Sequence, residues 1–258
     1  LVLFWNKDLI YSIGYIEAPK TFEDIQNIIP QLRRSIFEKI EISPIALGTT
    51  ENIDNYLEIF LILHKLINEE NYKSKLAFYK TLDFYTQFAD PSSQYYSWNS
   101  SMENQINSFS KGQLAMMINF YSKKVEILQK NSRLNFGIAP LPNFSESPKI
   151  INYFNCFFFA VPKQGKSKFG WMFLESLDKN YKNFINMLNL VPTKKEFFDK
   201  LNEEQKIVFQ AILNSDMFLD FDKNNTRSVL KTAIDNWIYK RKEVENLLER
   251  SIYKIFKK

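Results

Sequence analysis

The strongest constraint on the fold is a set of five short apolar runs, each too brief for a stable helix of its own: "LVLFW", "SPIAL", "LAMMIN", "FGIAP" and "FNCFFFAVP". Between them stand longer segments whose apolar residues repeat at helical spacing. Ile25, Ile28, Ile29 and Leu32 fall at i, i+3, i+4, i+7, which is one face of a helix. Ile53, Leu57, Phe60, Leu61 and His64 do the same over Asn52–Glu69. Short strands alternating with longer helices predict an α/β architecture. "FNCFFFAVP" is apolar throughout, and its length fits a strand buried on both faces.

Local signals set the element ends. Thr21 is a good N-cap, with Glu23 and Asp24 in the first turn, where carboxylates favour the positive end of a helix. Pro30 is expected to kink or shorten that helix. A further helix is predicted from Ser74 to Ala89, ended by the turn chemistry of "DPSSQ". A short helix carrying Met102, Ile106 and Phe109 should stop at Gly112 in a left-handed cap. Ser122–Gln129 and "SKFGWMFLESLDKN" read as helices, and the chain is helical from Asn202 onward. Asn202 with Gln205 resembles a capping box.

Composition narrows the function classes. The 258 residues are 45% hydrophobic, enough for a large core and for one or two domains. One cysteine, Cys156, leaves no internal disulfide or cysteine metal cluster. One histidine, His64, leaves little for a zinc site or a Ser-His-Asp triad; on an apolar helix face it reads as a hydrogen-bonded core residue. No cofactor, metal or enzymatic role is expected. Net charge is +5, with signs alternating along most of the chain, so no nucleic-acid partner is expected. Asp220, Asp222, Asn224 and Asn225 lack the Gly and distal Glu of a calcium loop. The first residue is Leu, and no signal peptide is visible. The sequence is expected to be a fragment missing an upstream portion.

The order of the pieces brings a resemblance. "NKDLI…APKTFEDI", "FSKGQLAMMINFY", "FGIAPLPNF", "FFFAVPKQGKSKFGWMFLESL" and "VPTKKEFF" resemble, in sequence order, stretches of the bacterial extracellular solute-binding proteins of sugar importers, the group that includes maltose-binding protein. Phe22 stands where those proteins commonly have Trp, and Lys149–Tyr153 supplies no Gly where one is usual. The resemblance implies a periplasmic-binding-protein-like (type II) α/β fold of two lobes, mostly the C-terminal lobe with a partial N-terminal lobe. Residues 1–143 would form the second lobe, 144–200 would return to the partial first lobe, and 201–258 would run back in helices. It implies a substrate-binding component of an ABC importer that takes a carbohydrate or similar solute between its lobes and presents it to a membrane permease. It further implies a monomer, extracytoplasmic and lipid-anchored in the full-length protein. The competing reading is a truncated or degenerate relative serving as a structural or protein-interaction module.

A sugar cleft needs aromatic plates for ring faces and planar polar groups for hydroxyls. The resemblance places Asn119, Phe120 and Tyr121 at such a cleft, just past "LAMMI"; otherwise Phe120 packs in the lobe core. Asn55 and Tyr56 follow a strand end, where clefts border open α/β sheets. Thr49, Thr50 and Asn52 share that loop, Thr50 and Asn52 doubling as helix caps. Trp98 is read as a ligand contact or as a staple onto the helix that follows. Arg227 falls where the resemblance puts a cleft residue, or else is a solvated charge.

Overall fold

The computed structural model describes residues 1–37, 39–68, 74–145, 151–154, 159–163, 167–187, 190–192, 194–213 and 223–239. Its centre is a five-stranded sheet ordered β2-β3-β4-β1-β5. The strands are β1 (Val2–Asn6), β2 (Arg34–Ile36), β3 (Lys39–Ile45), β4 (Leu114–Asn119) and β5 (Phe136–Ala139). β1 pairs antiparallel with both β4 and β5, while β3 runs parallel to β4. The sheet is therefore mixed. A parallel pair cannot be joined by a hairpin, and the crossover from β3 to β4 is long and helical: α3 (Tyr56–Asn68), α4 (Lys75–Thr86) and α5 (Gln105–Ser110). Every residue of β1 and β4 is buried, which explains their continuous apolar character.

Before that crossover lie α1 (Lys7–Tyr11) and α2 (Phe22–Leu32). Thr21 caps α2 as its sequence predicts: its side chain accepts the Asp24 N–H while the Asp24 carboxylate accepts the Thr21 N–H. Pro30 lies within α2, and the helix ends two residues beyond it. α5 ends at Gly112, whose φ of +74° is the left-handed cap. α3 is enclosed nearly all round, including Glu58 and His64. His64 pairs through Nδ1 with Thr81 Oγ1 at 2.9 Å, so it is a core histidine bonded in place.

The later chain supplies α6 (Lys123–Lys130), α7 (Ser167–Lys179), α8 (Tyr181–Met187), a 3-10 turn (Lys195–Lys200), α9 (Glu203–Leu213) and α10 (Lys223–Ile238). Asn202 and Gln205 form the reciprocal cap of α9. α9 packs near β5, and α10 packs on α4. No helix of the described residues is long and apolar enough to cross a membrane.

The doubly buried strand expected at "FNCFFFAVP" does not form over its described residues. Phe159 is 58% exposed, Ala160 is exposed, and neither is in a strand. Apolar content alone does not create a neighbour to bury against. Asn155–Phe158, with Cys156, lie outside the described residues, as do Asp220, Asp222 and the helix expected beyond Tyr239. α7 forms as predicted, yet Phe169, Trp171, Met172 and Phe173 are all more than half exposed.

Gly48, between β3 and α3, adopts φ +99°, and a Cβ there would stand 2.8 Å from both the Ala89 Cβ and the Ala89 nitrogen. Left-handed strain and overpacking act together. Gly48→Ala should lower unfolding stability by about 2–4 kcal/mol, read as a reduced urea midpoint with an unchanged m-value.

Candidate functional site

β4 carries its last residue, Asn119, to the sheet end while keeping it buried. The Asn119 Oδ1 accepts the Phe120 N–H at 2.8 Å. Its Nδ2 finds no partner among the described residues. An enclosed amide donor left unpaired costs about 1–3 kcal/mol; Tyr79, Gln105 and Ser110 each carry one such unpaired buried atom as well. Phe120 and Tyr121 follow it and are half-buried. Phe120 meets Tyr153 edge-on, ring centroids 6.1 Å apart. The Tyr121 hydroxyl is pushed up from its usual pKa by burial and by the charge of Glu204. Glu204, at the start of α9, pairs with Lys124.

The loop before α3 meets the same strand end. Asn55 is buried; its Nδ2 donates to the Ile118 carbonyl at 3.1 Å, and its Oδ1 accepts from Gln105 Nε2 at 2.9 Å. Asn55 thus ties the loop to β4 one residue before Asn119. Tyr56 donates its hydroxyl to the Arg227 carbonyl at 2.8 Å, and its ring lies under the Arg227 guanidinium at 5.5 Å. Arg227 also donates to both oxygens of Glu58 at 2.8 Å. Glu58 is 1% exposed; an ionised carboxylate at that depth requires a cation beside it.

Trp98 is wholly enclosed, its indole N–H donating to Asn52 Oδ1 at 2.8 Å. Asn52 in turn donates to the carbonyls of Asn99 and Met102, so it braces the loop instead of capping α3. Thr50 is likewise no cap: it donates to Asp235 at 2.8 Å. Thr49 bonds to Asn52 at 2.6 Å.

The structure therefore gathers Asn55, Asn119, Phe120 and Tyr121 around the end of β4. Tyr56, the first residue of α3, and Arg227 of α10 form a second group. Trp98 sits behind the loop. Tyr153, Glu58 and Glu204 went unnoticed in the sequence. A carboxylate inside "YLEIFLIL" was the available signal for Glu58. Tyr153 and Glu204 gave none, because their neighbours come from distant parts of the chain.

This set of elements and their order define a type II periplasmic-binding-protein fold. An ABC transporter solute-binding protein of Thermotoga lettingae bound with alpha-D-tagatose superposes with a TM-score of 0.70 at 13% identity, over 99% of this chain and 69% of that one. The maltose/maltodextrin-binding domain MalE of Bdellovibrio bacteriovorus, bound to maltotriose, gives 0.69 at 16% identity over 99% and 69%. CpMnBP1 with mannobiose bound gives 0.67 at 18% identity over 98% and 69%. At these identities the likeness establishes the fold. No family model and no curated protein matches the sequence.

The Leu1 nitrogen lies against the same region, donating to Asn152 Oδ1 at 3.0 Å and to the Tyr153 carbonyl at 2.7 Å.

Proposed function

We propose that the chain is the substrate-binding component of an ABC importer, taking a carbohydrate or similar solute in an interlobe cleft and presenting it to a membrane permease. The observation that carries this reading is Asn119: a buried amide whose Nδ2 is unpaired among the described residues, set beside half-buried Phe120 and Tyr121. A donor for a hydroxyl next to aromatic plates for a ring face is the chemistry a sugar asks for. The fold supports it, since the solved proteins that share it include solute-binding proteins of ABC transporters bound to tagatose and to ribitol.

Asn119, Phe120 and Tyr121 touch the solute in this proposal. Asn55, Tyr56, Trp98 and Arg227 shape the wall beside them. Residues 1–143 form one lobe, 144–200 return to the other, and 201–258 run back; the packing of α9 near β5 and of α10 on α4 supports that return. Ligand contacts with both lobes favour the closed state, and no chemistry is done on the solute. The protein acts as a monomer outside the cytoplasm, lipid-anchored in its full-length form.

The exposed apolar side chains of α7 favour a second reading, a structural or protein-interaction module. The two separate in one experiment. Thermal melts with maltotriose, mannobiose, tagatose and ribitol should show a raised midpoint with at least one of them. Asn119→Ala should weaken that sugar at least about tenfold, equivalent to about 1.4 kcal/mol, while the free protein still melts cooperatively. A cooperative melt that no sugar moves would overturn the binding role and leave the interaction reading.

A further inference from the structure

The ion pair between α10 and α3 has a role beyond packing. Arg227 lies 169 positions after Glu58. One of its Nη atoms donates to both Glu58 oxygens, and the other donates to the Asp54 carbonyl at 2.9 Å. Bonding also runs the other way, from the Tyr56 hydroxyl to the Arg227 carbonyl. One turn along α10, Lys231 reaches Asp235 at 3.0 Å, Thr50 Oγ1 at 3.1 Å and Glu51 at 3.6 Å. Asp235 accepts from Thr50. The segment from Thr50 to Glu58 is therefore gripped at Thr50, Glu51, Asp54, Tyr56 and Glu58 by a single helix from far along the chain. The far end of α10 is fastened elsewhere: Trp237 donates to Asp83 at 2.9 Å and stacks on Tyr79 at 5.2 Å, both on α4.

We infer that α10 is a clasp, anchored on α4, and that Arg227 and Lys231 are positioning residues that hold the Thr50–Glu58 segment, and with it Asn55, against the end of β4. This rests on the proposed binding role: through Asn55, whose amide fixes the Ile118 carbonyl next to Asn119, the clasp sets solute affinity without itself touching the solute. The guanidinium, already committed to Glu58 and Asp54 and laid over the Tyr56 ring, acts through the loop.

The test is amide hydrogen exchange on the whole chain, followed segment by segment. Arg227→Met removes a cation bonded to the buried Glu58 carboxylate, so the decisive variant is the double Glu58→Leu with Arg227→Met, which removes both charges and keeps apolar volume. In the double variant, exchange across residues 50–58 should quicken by about tenfold, with β1 and β4 unaffected. Arg227→Lys restores a charge and should recover part of the protection. Unchanged protection in the double variant, or a loss spread evenly over the chain, overturns the clasp. A solute titration completes the test, using whichever of maltotriose, mannobiose, tagatose or ribitol raises the wild-type melting midpoint most. Its affinity should fall about tenfold in the double variant and partly return in Arg227→Lys; an affinity that stays constant while the segment loosens overturns the positioning role. Should the wild-type chain bind none of the four, the binding role falls, and exchange alone decides the clasp.

Discussion

The pairing of β1 along both of its edges is the constraint on which the structure depends. A strand hydrogen-bonded to β4 on one side and β5 on the other has both of its edges paired, and its side chains are all buried. That fixes β4 as a neighbour, and β4 in turn fixes β3 through their parallel register. The long crossover joining those two is what places α3 in the interior, with the 50–58 segment at its head. The polar groups at the end of β4 inherit their positions from that ladder. Asn119 stands opposite Val2 in register, so even the candidate ligand donor is located by the first strand of the chain.

Around this frame the polar interior is built from pairs that are distant in sequence. Tyr85 donates its hydroxyl to the Thr49 carbonyl at 2.8 Å, and burial holds its pKa well above the usual range for a tyrosine. Ser43 and Ser97 exchange bonds with backbone groups across 54 and 52 positions. Such bonds contribute modestly one at a time. Their larger effect is on uniqueness, because each has a single geometry in which no buried polar atom is left alone.

These pairs also explain what the sequence could and could not disclose. Thr21, Gly112 and the Asn202–Gln205 cap were legible because each acts within a few residues. "LAMMIN" was legible because an apolar run of that length beside a glycine stop has few other uses. The apolar run at Phe159 was misleading for the opposite reason: whether it is covered depends on what lies across from it. Trp98 and Arg227 were readable as residue types suited to a cleft. Their bonds to Asn52 and Glu58 could not be seen, since nothing local links positions 98 and 52, or 227 and 58. The sheet was expected from alternation, yet the antiparallel run of β1 was not, because strand direction is decided by the connections and not by the strands.

The outward-facing rings of α7 have a practical consequence in solution. Phe169, Trp171, Met172 and Phe173 present greasy surface to water within little more than one turn of helix, and patches of that kind are sticky. The polypeptide in isolation would be retained on phenyl resin, would light up a dye such as ANS without unfolding, and would precipitate early in ammonium sulfate.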